Sequence, residues 1–133
     1  MIKDLIEIRF LIEPSIAAMA AIRADETDIK NILTACENTE KLLLANKNHA
    51  EKDIAFHTAI ALSSKNIVVP KLVPIINSSI PLIRESAKFT MRDETIEIHR
   101  EIADAIAAHD AVRAHDAMYL HLIYNRKHIK SIN

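Results

Sequence analysis

The chain has 133 residues, the size of one domain, with half of them hydrophobic, five aromatic, and seventeen basic against eighteen acidic side chains for a formal charge of -1. Glycine is absent and cysteine occurs once, which argues against phosphate-cradling loops and an internal disulfide, and the even charge argues against a nucleic-acid-binding face. No uncharged stretch approaches the roughly 20 residues of a membrane span and no signal-peptide pattern opens the chain, so a soluble protein of the reducing cytoplasm is expected.

The composition favours helices packed on helices. From Ile2 to Arg23, Leu5, Ile8, Ile12, Ile16, Met19 and Ala20 recur at steps of three and four and predict one buried helical face. Pro14 lies inside it and predicts a kink or a break close to Glu13, because proline removes a hydrogen bond and clashes with the preceding turn. Asp25, Glu26, Thr27 and Asp28 supply capping groups for a second helix to about Ala45, with Ile29, Leu33, Cys36 and Leu43 facing inward.

Asn46 to Asn48 form a break. Asn48 followed by Glu51 resembles a capping box and predicts a third helix running to Ser64, whose inner stripe holds Asp53 and His57. The segment from Asn66 to about Lys88 is apolar but carries Pro70, Pro74 and Pro81, and reads either as one kinked helix or as two short ones. Asp93 begins the next helix, with Ile96, Ile98, Ile102, Ala105 and Ile106 apolar, and Asp110 caps the last, which runs to about Lys130. No internal repeat or linker is visible, so the expected architecture is a single bundle of about six helices.

Two pairs of residues carry chemistry. Asp53 and His57 are four apart, which places both side chains on one helical face, one turn from each other. His99 lies ten residues before His109, and His121 eleven after Asp110; antiparallel packing about that turn brings the two to nearly equal height. One carboxylate oxygen and three imidazole nitrogens suit a borderline divalent ion such as Zn, Ni, Mn or Fe, whereas Ca and Mg prefer oxygen shells. On spacing alone, His57 and His121 read equally as buried histidines satisfied by polar neighbours. His49, His109, His115 and His128 are expected on the surface or in turns.

The succession Arg9-x-x-x-Glu13, Asp53-x-x-Phe56-His57, Ser64-Lys65-Asn66, His99-x-x-Ile102-x-x-Ala105-Ile106 and Asp110-x-x-x-Ala114-x-x-Ala117-Met118-x-x-His121-Leu122 resembles the FCD domain, the C-terminal effector domain of the FadR subgroup of GntR transcription regulators. The resemblance covers nearly the whole chain. It implies an all-α antiparallel bundle of six to seven helices whose central cavity holds a metal through Asp53, His57, His99 and His121. It also implies a small organic acid, often a carboxylate, bound beside or on that metal, with Arg9 as the matching cavity arginine and Asn77 and Arg84 on the cavity wall. A guanidinium can hold a carboxylate by two parallel hydrogen bonds; Arg9 also reads as an intrahelical partner of Glu13, and Arg84 as an exposed cation.

The chain departs from the family pattern at His109, where a glycine is common before the last helix. No winged-helix domain precedes this one, so the chain is expected to be either a fragment of a regulator, reaching DNA only through that missing domain, or a domain that acts without DNA. A homodimer is implied by the resemblance. The rival readings are a metal-dependent hydrolase or lyase and a purely structural dimerisation module. No His-Glu-x-x-His pair and no Glu-x-x-His di-iron motif occurs to favour the first, and no catalytic residue is assigned.

Overall fold

The computed structural model describes residues 1–87 and 92–129, with the side chains of 83–87, 128 and 129 outside the described set. Six helices follow one another: α1 (Ile2–Arg23), α2 (Glu26–Leu44), α3 (Ala50–Ser63), α4 (Val69–Ala87), α5 (Arg92–Ala107) and α6 (Ala111–Ile129). There is no strand among the described residues. α1 packs on α3, α4, α5 and α6, while α2 closes the far side against α3 and α5. One main core, including Ala17, Ala20, Ile32, Phe56, Ile60, Ile76, Ile102, Ile106 and Met118, joins all six.

Local chemistry starts the helices largely where the residues predict. Asp25 caps α2 in a reciprocal box with Asp28, each side chain accepting the other's backbone N–H at 2.8 and 3.0 Å. Asp110 caps α6 by accepting the Arg113 backbone N–H at 3.1 Å. At α3 the expected box is replaced: the Asn48 side-chain oxygen accepts the Ala50 N–H at 3.0 Å, and His49 becomes the N-terminal boundary residue. His49 is also buried, not at the surface as its position beside a break suggests.

The missing glycines are replaced by three residues in the left-handed region. Asn46, Lys65 and His109 have φ of 55°, 57° and 57°, each just past the end of α2, α3 and α5. After α5 the amide of Asp110 donates to Ala105 and that of His109 to Ile106, both at 2.9 Å, which is a Schellman closure built on a histidine. Left-handed geometry costs a residue with a Cβ roughly 1–2 kcal/mol. At His109 the bond between its Nδ1 and the Ala21 carbonyl, 2.9 Å, offsets part of that.

Proline expectations fare unevenly. α1 passes through Pro14 without a break, and α4 is one helix, not two, despite Pro74 and Pro81 inside it. Val69, Val73, Ile76 and Ile80 form the buried stripe of α4. At roughly 1.5–3 kcal/mol each, their burial outweighs about 3 kcal/mol for each interior proline. Ahead of Pro81, the hydroxyls of Ser78 and Ser79 donate to the carbonyls of Ile75 and Ile76, giving that turn side-chain donors.

The phase of α1 is the largest correction. Its buried face is Ile6, Arg9, Glu13, Pro14, Ile16, Ala17, Ala20 and Ala21. Ile8, expected inside, is 37% exposed, while Arg9 and Glu13 are 1% and 3% exposed. The helix is turned by about one residue, roughly 100°, from the face that apolar periodicity selects. Two charged side chains enter the interior because each finds the other and further polar partners there.

Candidate metal centre

Five of the six helices contribute a polar side chain to one buried locus. Asp53 and His57 project from adjacent turns of α3, His99 from α5 and His121 from α6. The three imidazoles each offer a ring nitrogen, and these atoms lie within 4.8 Å of one another. Donors on one ion with bonds of about 2.1 Å stand at most about 4.2 Å apart, so the three nitrogens are already close to that spacing. Asp53 Oδ1 is 3.3 Å from His57 Nε2 and 3.6 Å from His99 Nε2. The rings contact one another, with centroids 5.0 Å apart for His99 and His121 and 5.6 Å for His57 and His121, and Phe56 packs its ring 4.8 Å from that of His99.

Asp53 Oδ1, His57 Nε2 and both ring nitrogens of His99 are buried and make no hydrogen bond among the described residues. Buried polar atoms are rarely left so. A carboxylate oxygen and imidazole nitrogens turned toward one another form a donor set that a divalent cation fits.

From α1, Glu13 reaches this cluster. Its Oε1 lies 2.7 Å from His57 Nδ1, and its Oε2 accepts from Arg9 Nε at 2.5 Å. Arg9 Nη1 donates to Ser79 Oγ of α4 at 3.2 Å, and Arg9 Nη2 is buried with no hydrogen-bond partner among the described residues. Arg9 thus pairs with Glu13, as their spacing of four predicts, and keeps one further donor nitrogen in the interior.

The family model for the FCD domain matches residues 4–123. The chain belongs to the FCD domain family. Among similar proteins, an uncharacterized HTH-type transcriptional regulator of Bacillus subtilis is 30% identical over 94% of this FCD domain and 53% of its own length. The putative L-lactate dehydrogenase operon regulatory protein of Escherichia coli is 34% identical over 91% of the domain and 48% of its own length. The solved structure of Streptococcus agalactiae GntR superposes with a TM-score of 0.83 at 34% identity, covering 95% of the domain and 58% of that chain. The domain thus spans about half the length of the regulators it matches, and its helical bundle is that of a GntR-type protein. No described helix is long and apolar enough to cross a membrane.

Of the residues singled out in the sequence, the fold of this FCD domain brings Asp53, His57, His99 and His121 together and places Arg9 one residue, Glu13, away from them. Asn77 lies on α4 with its side-chain oxygen buried and without a hydrogen bond among the described residues, so no described bond ties it to the cluster. Arg84 lies on α4, but its side chain is outside the described residues. Glu13 and Ser79 escaped the sequence reading as site residues. The Arg9-x-x-x-Glu13 spacing was the available signal for Glu13, but a pair four apart is equally common on helix surfaces.

The electrostatics follow from burial and from these contacts. Burial alone would raise the Glu13 carboxyl, but Arg9 and His57 outweigh it and hold Glu13 at about 2. Burial likewise opposes charge on Asp53, yet its polar contact with His57 and the nearby His99 keep it well below the usual carboxylate range. Burial disfavours charge on His57, and Glu13 and Asp53 on either side override it, raising His57 to about 9. His99 falls to about 4 through burial, which Asp53 only partly opposes, and His121 falls well below its ordinary value through burial and the neighbouring His99 and His57.

A pH profile for the metal-free domain follows. His57, raised in the fold, contributes stability that is complete below about 6.5 and is lost as pH rises through about 9. His99 and His121, lowered in the fold, take up protons more readily when unfolded, so stability also falls as pH drops from about 6.5 toward 4. Glu13, depressed to about 2, adds a loss that begins near 4.5 and continues below it. Thermal melts in chelator from pH 4.5 to 9 are expected to peak near neutrality; a flat profile would contradict the assignment.

Proposed function

We propose that this FCD domain is the metal-dependent, small-carboxylate-sensing part of a GntR-type transcription regulator. Asp53, His57, His99 and His121 hold a borderline divalent ion, Zn, Ni, Mn or Fe, and Arg9 and Asn77, with Arg84 further along α4, bind the organic acid. The reading is carried by Asp53 Oδ1 and, within 3.6 Å of it, His57 Nε2 and His99 Nε2, all buried and making no hydrogen bond among the described residues. When bound there, an ion of octahedral preference supplies coordination positions that carboxylate oxygens can take.

The chain's own groups support the second half of the reading. Arg9 Nη2 is a buried cationic donor without an acceptor among the described residues, and a carboxylate is the group whose charge and geometry match it. One relative is named a putative regulator of an L-lactate dehydrogenase operon, which puts small hydroxy acids among the candidate effectors. Effector binding regulates only if it differs between two arrangements of the helices; α1, which carries Arg9 and Glu13 and packs on four other helices, is the element that transmits it. In the intact regulator a preceding DNA-binding domain receives that change, and the protein acts as a homodimer. Glu13 engages both oxygens with His57 and Arg9, which leaves it no role as the free base of a hydrolase.

Metal dependence is tested by melting the domain in chelator and then with Zn2+ or Ni2+. At a free metal concentration about 100 times Kd the gain is about 2.7 kcal/mol, which raises Tm by roughly 10 °C for a domain of this size. Elemental analysis of protein purified without added metal identifies the ion, and mass spectrometry the co-purifying acid. Melting indifferent to both chelator and metal would leave a purely structural helical module.

A further inference from the structure

We infer that Glu13 is the positioning residue that joins the cation-binding histidines to the anion-binding guanidinium, so that metal affinity depends on Arg9 through this one carboxylate. The inference rests on the proposed metal and carboxylate sites and adds how they communicate. Glu13 is 3% exposed and makes two bonds in opposite senses along the site: Oε1 to His57 Nδ1 at 2.7 Å, and Oε2 to Arg9 Nε at 2.5 Å.

At the first bond, a carboxylate opposite Nδ1 requires the hydrogen to sit on Nδ1. Nε2, which faces Asp53, is then the nitrogen that gives up its proton to a metal, the orientation a metal ligand needs. His99 differs, since its Nδ1 has no hydrogen-bond partner among the described residues. At the second bond, Glu13 and Ser79 fix Nε and Nη1 of Arg9, and these two anchors determine where the unpartnered Nη2 points.

Both bonds come from one planar group on one helix turn. A rotation of the carboxylate that improves its contact with Arg9 degrades the contact with His57, and the reverse. An anion that draws the guanidinium toward itself therefore changes how firmly His57 is held. Metal occupancy, which draws His57, changes the direction of Arg9. Linkage makes the two effects equal in size.

The Glu13→Gln variant isolates this. Glutamine can accept from His57 Nδ1–H through its oxygen, but its amide N–H groups then face the Arg9 Nε–H, so one of the two bonds is lost. Zn2+ affinity of the full chain is measured by competition with a chromophoric chelator in wild type, Glu13→Gln, Arg9→Gln and the double variant, with circular dichroism in chelator as the check on folding. Glu13→Gln, which replaces the charged acceptor of His57 Nδ1–H by a neutral and weaker one, is expected to weaken Zn2+ binding roughly 10-fold, the lower end of what altering the outer partner of a metal-bound histidine costs. Arg9→Gln, which removes no ligand atom, is expected to change the Zn2+ Kd about fivefold or more when Glu13 is present, and less than about twofold when it is Gln.

Equal effects of Arg9→Gln in both backgrounds, or a Glu13→Gln affinity within twofold of wild type, would overturn the inference while leaving the metal site intact. A wild-type chain that takes up no Zn2+ overturns the metal reading and the inference with it. Should the variants not fold, nitrogen-15 NMR of the Zn2+-loaded wild type decides. A hydrogen on Nδ1 of His57 with Nε2 shifted by metal supports the assignment, and a metal-shifted Nδ1 overturns it.

Discussion

Replacing His99 and His121 together by Ala is expected to reduce bound metal from about one equivalent per chain to essentially none, and to abolish the response of Tm to Zn2+ or Ni2+. The substitution leaves only Asp53 and His57, on adjacent turns of α3, as candidate ligands, and protein zinc sites use three or four. The substitution also removes two fully enclosed rings, 2% and 4% exposed, from a packed interior, so the metal-free variant melts earlier as well. His115→Ala serves as the control, because His115 sits at the surface beside Asp116 and Tyr119 and its loss leaves metal content unchanged. Full metal content in the double variant, measured by elemental analysis, would refute the centre.

Arg9→Met is expected to destabilise the metal-free domain by about 3–5 kcal/mol, which lowers Tm by roughly 10–20 °C. Methionine fills much of the same volume, so the loss is electrostatic: Glu13 keeps His57 but loses the cation against which its second oxygen lies, in an interior where an uncompensated charge is costly. Arg9→Met combined with Glu13→Gln removes charge from both sides and is expected to lose distinctly less than the sum of the single variants. Urea unfolding of the four proteins in chelator measures the cycle. Additive losses would mean that the 2.5 Å contact between Arg9 and Glu13 contributes no coupling energy, and that the two charges are buried for separate reasons.

The same pair shows where reading a sequence stops. Helix starts at Asp25 and Asp110 and the Asp53–His57 pair were legible because each depends on residues three or four apart, where helix geometry is the same in every protein. The relation of His99 to His121 was legible for a related reason: a short turn forces antiparallel packing, and equal rise on both sides brings the two level. That the described residues form helices and no strand followed from periodicity and from a composition poor in aromatic residues and devoid of glycine.

What the tertiary structure decided is of another kind. Whether α1 turns Ile8 or Arg9 inward depends on α3 and α4 having His57 and Ser79 ready to receive polar groups, and Glu13 meets His57 across 44 residues of chain. Whether α4 survives two interior prolines depends on the burial available to Val69, Val73, Ile76 and Ile80, and His49 is buried although it stands at a helix boundary. Local hydrogen-bond geometry is written in neighbouring residues and can be read there. The free energy that chooses among faces, continuities and charged partners comes from desolvation and contact between distant segments, and exists only once the helices are packed.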